Sequence, residues 1–304
     1  MIVVAGEALI DVVVDHDGDS SETPGGSPLN VAVGLARLDV PTTLVSQVGH
    51  DERGGLVVQH VTGSGAEIVA VPTTTGRTSV ATAHLDVGGA ASYDFDLEWS
   101  LPRQELPRCH ALHVGSLGTM LEPGRESVLD LVEQACARDT FVSYDANLRE
   151  SFVDDHGLAR AQVGELGARC TLVKLSDEDA GLLEPDSDPD DVARALLRGE
   201  RTSLVILTRG RDGATAFTAH GETSARPRPI EVVDTVGAGD AFMAATLAQL
   251  WDLDAFRQPG PGLELTADEV ARLVRGAIEV AAITCERRGA NPPRRQELPP
   301  GWPA

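Results

Sequence analysis

Two aspartates flanking a small-residue turn, Asp234-Thr235-Val236-Gly237-Ala238-Gly239-Asp240, carry the strongest chemical signal in the chain. The residues that follow (Ala241, Phe242, Met243, Ala244, Ala245, Leu247, Leu250) have helical apolar spacing, and the run before Asp234 is β-rich up to Val233. Strand, glycine turn and helix start together make an anion site. The first-turn N–H groups have no intrahelical acceptor, and the positive end of the helix dipole adds to them. Gly237 and Gly239 let the backbone approach an anion closely. Asp240 is out of place there unless it handles a proton. An Asp at a helix start is ordinarily a cap. Beside a phosphate-cradling turn and a second acid, it suits phosphoryl transfer, with backbone dipoles stabilising charge while the carboxylate accepts a hydroxyl proton.

The elements that must position this turn read as alternating strand and helix. Ile2–Val4 and Ala8–Ile10 read as one buried strand closing at Asp11, a candidate for hydrogen bonding a polyol at a strand end. Val12–Val14 and the polar turn His16–Ser21 read as a short hairpin leaving the body. Gly25-Gly26-Ser27-Pro28-Leu29-Asn30 opens a helix of small and apolar residues ending at Asp39, and Asn30 offers both a donor and an acceptor to vicinal hydroxyls. Thr42–Val48 is a strand, Gly49-His50-Asp51 starts a helix closed by Gly63, and Ile68–Val71 is a strand. Alternation over Ser79–Leu85 and Ser92–Leu97 around Val87-Gly88-Gly89 predicts an exposed hairpin, pairing with Val12–Val14. Further strands follow at Ala111–Gly115, Phe141–Tyr144, Thr171–Leu175, Leu204–Leu207, Ala214–Ala219 and Ile230–Val233. Helical material separates them, and a long helix runs from about Thr266 to Cys285. This order predicts a mostly parallel sheet covered by helices on both faces, with a small β-sheet outside it.

Composition narrows the function. With 25 Lys+Arg against 47 Asp+Glu, the net charge is -22. A nucleic-acid or anionic-membrane partner would want a basic face, so neither is expected. Lys174 is the single lysine, and because it follows Val173 no Gly-Lys P-loop exists. It stands with Asp177–Asp179 at one expected strand edge, where a nucleotide would need a cation. Cys109, Cys136, Cys170 and Cys285 lack metal spacing and read as thiols of a reducing compartment. The start, Met1 to Glu7, lacks a basic n-region, and a cytoplasmic location is expected. His110 and His113 fall on opposite sides of a strand and do not form a metal pair. There is no G-x-S-x-G motif, and Gly210-x-x-Gly213 alone is a common turn.

Taken together, these stretches resemble the ribokinase-like (PfkB) family of sugar and nucleoside kinases over essentially the whole chain. The resemblance rests on Gly25-Gly26…Asn30 leading into Gly49-His50-Asp51 and on Asp234–Asp240, while Gly6-Glu7-Ala8-Leu9-Ile10-Asp11 is most like the fructokinase branch. It implies a ribokinase-like α/β body at 1–10, 25–70 and 101–304, with a β lid at 11–24 and 71–100. It implies that Asp240 is the base and that the N–H groups around Val236, Gly237, Ala238 and Gly239 form the anion hole. Asp11, Gly25, Gly26 and Asn30 would hold the sugar. Thr208, Gly210 and Gly213 would line nucleotide phosphates and ribose, with Ala281, Ala282, Cys285, Gly289 and Ala290 near adenine. Asp234 and the Val236 carbonyl would belong to a monovalent-cation site, often potassium, and the lid strands would pair across a homodimer. Two motifs depart from the family pattern. Asp-Pro-Asn-x-Arg reads Asp145-Ala146-Asn147-Leu148-Arg149, and Asn/Ser-x-x-Glu reads Ser176-x-x-Asp179, whose shorter acid would meet Mg²⁺ through water.

The expected activity is ATP- and Mg²⁺-dependent phosphorylation of a sugar primary hydroxyl, with fructose as first choice. Ribose, 2-keto-3-deoxygluconate or a nucleoside are the alternatives. A sugar acid would want Arg103 or Arg149 in the pocket, and a nucleoside an aromatic platform that 4% aromatics supplies poorly. A silent sugar sensor on the same fold is the reading from a different class; retention of Asp240 with its glycine turn weighs against it.

Overall fold

The computed structural model describes residues 1–85, 91–257 and 262–302. Short apolar runs become strands of a large sheet: β1 (Ile2–Ala5), then, after the lid strands β2 (Leu9–Val14) and β3 (Ser20–Gly25), β4 (Thr42–Val48), both buried along their length, and β5 (Glu67–Pro72), a largely exposed edge. After the lid strands β6 (Val80–Leu85) and β7 (Ala91–Asp96) come β8 (Ala111–Gly115), β9 (Phe141–Asp145), β10 (Leu172–Ser176), β11 (Leu204–Thr208), β12 (Ala214–Thr218) and β13 (Gly221–Ala225). The large sheet runs β13-β12-β11-β10-β9-β8-β1-β4-β5 and is parallel from β11 to β5, with β12 and β13 added as an antiparallel edge.

The helices are α1 (Ser27–Arg37), α2 (Glu52–Ser64), α3 (Gly124–Ala137), α4 (His156–Gly167), α5 (Asp177–Leu183), α6 (Pro189–Leu196), α7 (Ala238–Asp252) and α8 (Ala267–Cys285). One face of the sheet packs Val4, Leu44 and Ile206 against Leu35 of α1, Val57 of α2, Leu247 of α7 and Val274 of α8. The other packs Val3, Val114 and Val205 against Leu131 of α3, Val163 of α4, Leu183 of α5 and Val192 of α6. Helix α7 is buried nearly all round because α1 and α8 flank it, which is why its sequence lacks a polar stripe. Its first turn is therefore held from two sides.

The small sheet has the order β3-β2-β6-β7, with β2 and β6 parallel and both outer pairs antiparallel. The expected pairing of the Val12–Val14 strand with the later hairpin is present, whereas the Val87-Gly88-Gly89 turn lies outside the described residues.

Several expectations need correction. The opening stretch is two strands, with β1 in the large sheet and β2 in the small one. The pyrrolidine ring of Pro28 occupies the space a side chain on Gly6 would need, and Glu7 turns inward to accept from Gly118 N at 2.7 Å. The chain steps from one sheet to the other over Gly6–Ala8, so Asp11 is a lid residue paired with Thr23. Residues 20–25 form strand β3 instead of a turn and loop, a polar edge that tolerates Pro24. Helix α2 continues to Ser64 and ends at a left-handed Gly65.

Ile230–Val233 is not a strand. The sheet edge is already taken by β13, an exposed polar strand without an apolar signature, and Val232 and Val233 are each 57% exposed. The segment is held instead by α8, whose Cys285 carbonyl accepts from both Val233 N and Asp234 N.

Candidate active site

Helix α7 starts at Gly237, which adopts φ 75°, and a Cβ there would stand 2.6 Å from Ala290 Cβ. The turn before it is fixed by Asp234, whose two carboxylate oxygens accept from Val236 N at 3.0 Å and Gly289 N at 2.8 Å. Asp234, Val236, Cys285, Gly289 and Ala290 are thus brought together by the end of α8. Within α7, Asp240 is only 7% exposed. Ser27 Oγ donates to its Oδ1 at 2.6 Å and Asn30 Nδ2 to its Oδ2 at 2.8 Å. Asn30 therefore holds Asp240 with one amide N–H, and its amide oxygen and other N–H stay available to the sugar hydroxyls expected there. Ser27 belongs to the site too, although it was read only as part of the Gly25–Asn30 segment.

Asp11, on β2, lies near enough for the Asp240 charge to act on it. Its carboxylate occupies the space a side chain on Gly25 would take, so only glycine allows β3 to pass it. Burial pushes the Asp11 carboxyl up to about 6; the Arg149 guanidinium partly offsets this and the Asp240 charge adds to it. Asp11 thus remains ionised at neutral pH, able to accept from a hydroxyl. Arg103, the other cation considered for a sugar acid, is tied to Asp130 on α3 through Nε at 3.0 Å and Nη2 at 2.7 Å. Arg149 is the one whose charge reaches the pocket acids.

In the sequence Glu7 is a lone acid that reads as a break in an apolar run. Its pKa is pushed up to about 7 by burial, against the opposing hydrogen bonds of Gly118 and Ser116 and the charge of Arg149. The folded residue keeps its proton to about pH 7, while the ordinary value for a free glutamate side chain is 4.5. Between those values the native state binds more protons, so the Glu7 contribution to stability falls as pH rises through this window. Glu7→Gln removes that loss. At pH 8 its melting midpoint should exceed that of the wild type, by a stability on the order of 3 kcal/mol, with little difference at pH 4.5. Thermal melts across that range, showing the same gap at both ends, would refute the assignment.

At the carboxyl edge of the sheet, Asp145 and Lys174 pair across the β9–β10 register. Lys174 Nζ donates to Asp145 Oδ1 at 2.9 Å and Oδ2 at 2.8 Å, and Lys174 is only 3% exposed. A Cβ on Gly239 would stand 3.5 Å from the same Nζ, so the ammonium lies against the first turn of α7. Asp179 serves as a cap: its Oδ2 accepts from Ser176 N at 2.7 Å while its Oδ1 reaches Leu148 N at 2.6 Å. This bond ties α5 to the Asp145–Arg149 segment, where Asn147 holds φ 37°. A water-mediated metal contact would have to use the remaining lone pairs of Asp179. Among the described residues, no group of three or more His, Cys, Asp and Glu is arranged to hold a metal ion.

Thr208 ends β11, and the turn beyond it uses left-handed Gly210 and Gly213, closed by Arg209 N to Gly213 O at 2.8 Å. Gly213 stands against Ala225 of β13, the strand on which α8 packs, so the nucleotide set falls along one edge. Ala281 and Cys285 are half-buried on α8 and Ala282 is buried. His113 is buried and shares a 3.0 Å hydrogen bond with Ser143, whereas His110 packs edge-on against Trp251. The two histidines are indeed apart.

Comparison with known proteins bears on the family and the fold. The chain is 31% identical over 262 residues to a fructokinase of Rhizobium leguminosarum bv. trifolii, covering 82% of this chain and 79% of the relative. A solved structure of an aminoimidazole riboside kinase from Salmonella enterica superposes with TM-score 0.81 at 24% identity, covering 95% of this chain and 94% of that one. A fructokinase from Vibrio cholerae O395, solved with fructose, ADP and calcium, superposes with TM-score 0.80 at 25% identity, covering 95% and 94%. Residues 1–297 match the model of the pfkB family of carbohydrate kinases. With that match spanning nearly its whole length, this chain belongs to the pfkB family and is an ATP-dependent sugar kinase.

Proposed function

We propose that the chain phosphorylates fructose at a primary hydroxyl, with Asp240 as general base. The observation that carries this reading is the placement of Asp240. It is buried in the first turn of α7, held through both oxygens by Ser27 and Asn30, with its charge felt by Asp11 of the lid. A sugar held by Asp11 and the backbone of Gly25 and Gly26 would present its hydroxyl to Asp240, which takes the proton as the oxygen attacks the terminal phosphorus. Of the N–H groups expected around Val236–Gly239, those of Val236 and Ala238 donate within the turn, to Asp234 Oδ1 and Thr235 O, so Gly237 and Gly239, with the helix dipole, are the donors left to stabilise the transferred phosphoryl group. Thr208, Gly210, Gly213 and Lys174 serve the nucleotide phosphates, and Ala281, Cys285 and Gly289 the base. Magnesium, when bound with ATP, neutralises phosphate charge. Asp179 would reach it through water, in keeping with the sparse carboxylate set. Backbone carbonyls at Val236, with Asp234, suit a potassium ion. The fructokinase likeness at 31% identity supports fructose over the alternatives. The lid's partner is a second copy of this chain, and the cytoplasm is its location.

A coupled ADP-release assay with Mg-ATP tests the substrate, over fructose, ribose, 2-keto-3-deoxygluconate and adenosine, with and without K⁺. Highest kcat/KM on fructose is the expected result. Higher turnover on another acceptor would discard fructose and keep the mechanism, and sugar binding without turnover on any acceptor would indicate a sensor. Light scattering of the pure protein reads the oligomeric state.

A further inference from the structure

Lys174 is the only lysine among 304 residues, and it lies beneath the anion turn already held by another group. Asp145 takes it bidentately, and the Asp145 side chain is fully buried. Two more acids, Asp179 and Asp240, add their charges around the same ammonium. Together with Asp145 they hold Lys174 protonated above its ordinary value, against the burial that opposes its charge. One cation thus faces three carboxylates, and the nearby His113, which burial and Lys174 hold down at about 3, adds no positive charge. An anion arriving at the turn meets a cation whose field is largely cancelled. An ammonium has three donors, and two reach Asp145 oxygens, so a phosphate that takes more than the third must share or displace a bond that already exists.

We propose that Asp145 is a positioning residue that restrains Lys174, competing with the nucleotide phosphate for its ammonium and thereby weakening nucleotide binding at the anion turn. This rests on the reading of Lys174 as a phosphate contact. It carries a sign that ordinary structural support does not. A residue that only aimed Lys174 would, when removed, loosen the nucleotide. A competitor, when neutralised, lets it bind more tightly. Asp145 could also act directly, by repelling phosphate without involving Lys174; that effect would survive loss of the lysine.

The test is calorimetric titration of β,γ-methylene-ATP with Mg²⁺ and no sugar, on the full chain. The proteins are wild type, Asp145→Asn, Lys174→Met and the double variant, with Asp145→Ser as a second neutral replacement. Melting curves establish that each is folded at the titration temperature. Asp145→Asn and Asp145→Ser should bind about tenfold more tightly than wild type, and Lys174→Met about tenfold more weakly. The double variant should match Lys174→Met. Weaker binding by both Asp145 variants would overturn the proposal, as would an equal gain from Asp145→Asn in the Lys174→Met background. Failure of the wild type to bind the analogue at all would bring down the nucleotide reading first, and the proposal with it.

Discussion

Asp240→Asn should lower kcat by about 10²–10⁴, the range by which a positioned base accelerates proton transfer. The substitution is close to isosteric, and Ser27 Oγ can still donate to the new amide oxygen. The other contact is less simple. Asn30 Nδ2 now donates to Asp240 Oδ2 at 2.8 Å, and an amide NH₂ at that place would face another donor. Rotation of the Asn30 amide resolves this, because its oxygen then accepts. The fold should therefore survive, and nucleotide binding should be retained while turnover collapses. The measurement is kcat beside the calorimetric affinity for β,γ-methylene-ATP. A variant that keeps wild-type kcat removes Asp240 from the chemistry. Equal loss of binding and turnover would instead make it an ordinary helix cap.

The second large effect belongs to the backbone. Gly237→Ala should reduce kcat by about 10²–10³, comparable to removing one donor from an oxyanion hole. The left-handed φ of 75° alone costs a residue with a side chain roughly 1–2 kcal/mol. The added Cβ would also meet Ala290 at 2.6 Å, so the turn must move and its N–H groups re-aim. Gly210→Ala separates these causes. Gly210 is also left-handed, at φ 47°, but has open space where its Cβ would go. It should lose a similar increment of stability and far less turnover. If the two variants lose turnover equally, backbone strain and not the shape of the anion turn is responsible.

Local signals carried much of this. The small-residue turn, the apolar helix beyond it, the early glycines and the alternation of strands and helices were all legible, because each is written within about ten consecutive residues. What escaped depends on partners far apart in sequence. Asn30 and Asp240 are 210 positions apart, and nothing local shows that this amide donates to that carboxylate. The Lys174–Asp145 pair depends on the β9–β10 register, which places Lys174 opposite Asp145 across neighbouring strands. The break at Gly6–Ala8 was hidden because apolar residues continue on both sides of it. Ile230–Val233 looked like a strand for the converse reason: its residues have strand chemistry, but the edge they would join belongs to β13. Asp179, expected to meet Mg²⁺ through water, also closes a capping box with Ser176, a use available to the same residue types at the same spacing.

The solitary buried lysine also determines how the molecule meets reagents. Apart from its α-amino group, the 304-residue chain offers an amine-directed label one target, and that target sits within hydrogen-bond distance of Asp145. Acylating dyes, glutaraldehyde and other surface-amine chemistry find no lysine on the outside. Slow acylation of Lys174 would count the moments when the edge beneath α7 opens, so a routine labelling reaction becomes a clock for breathing at the active site.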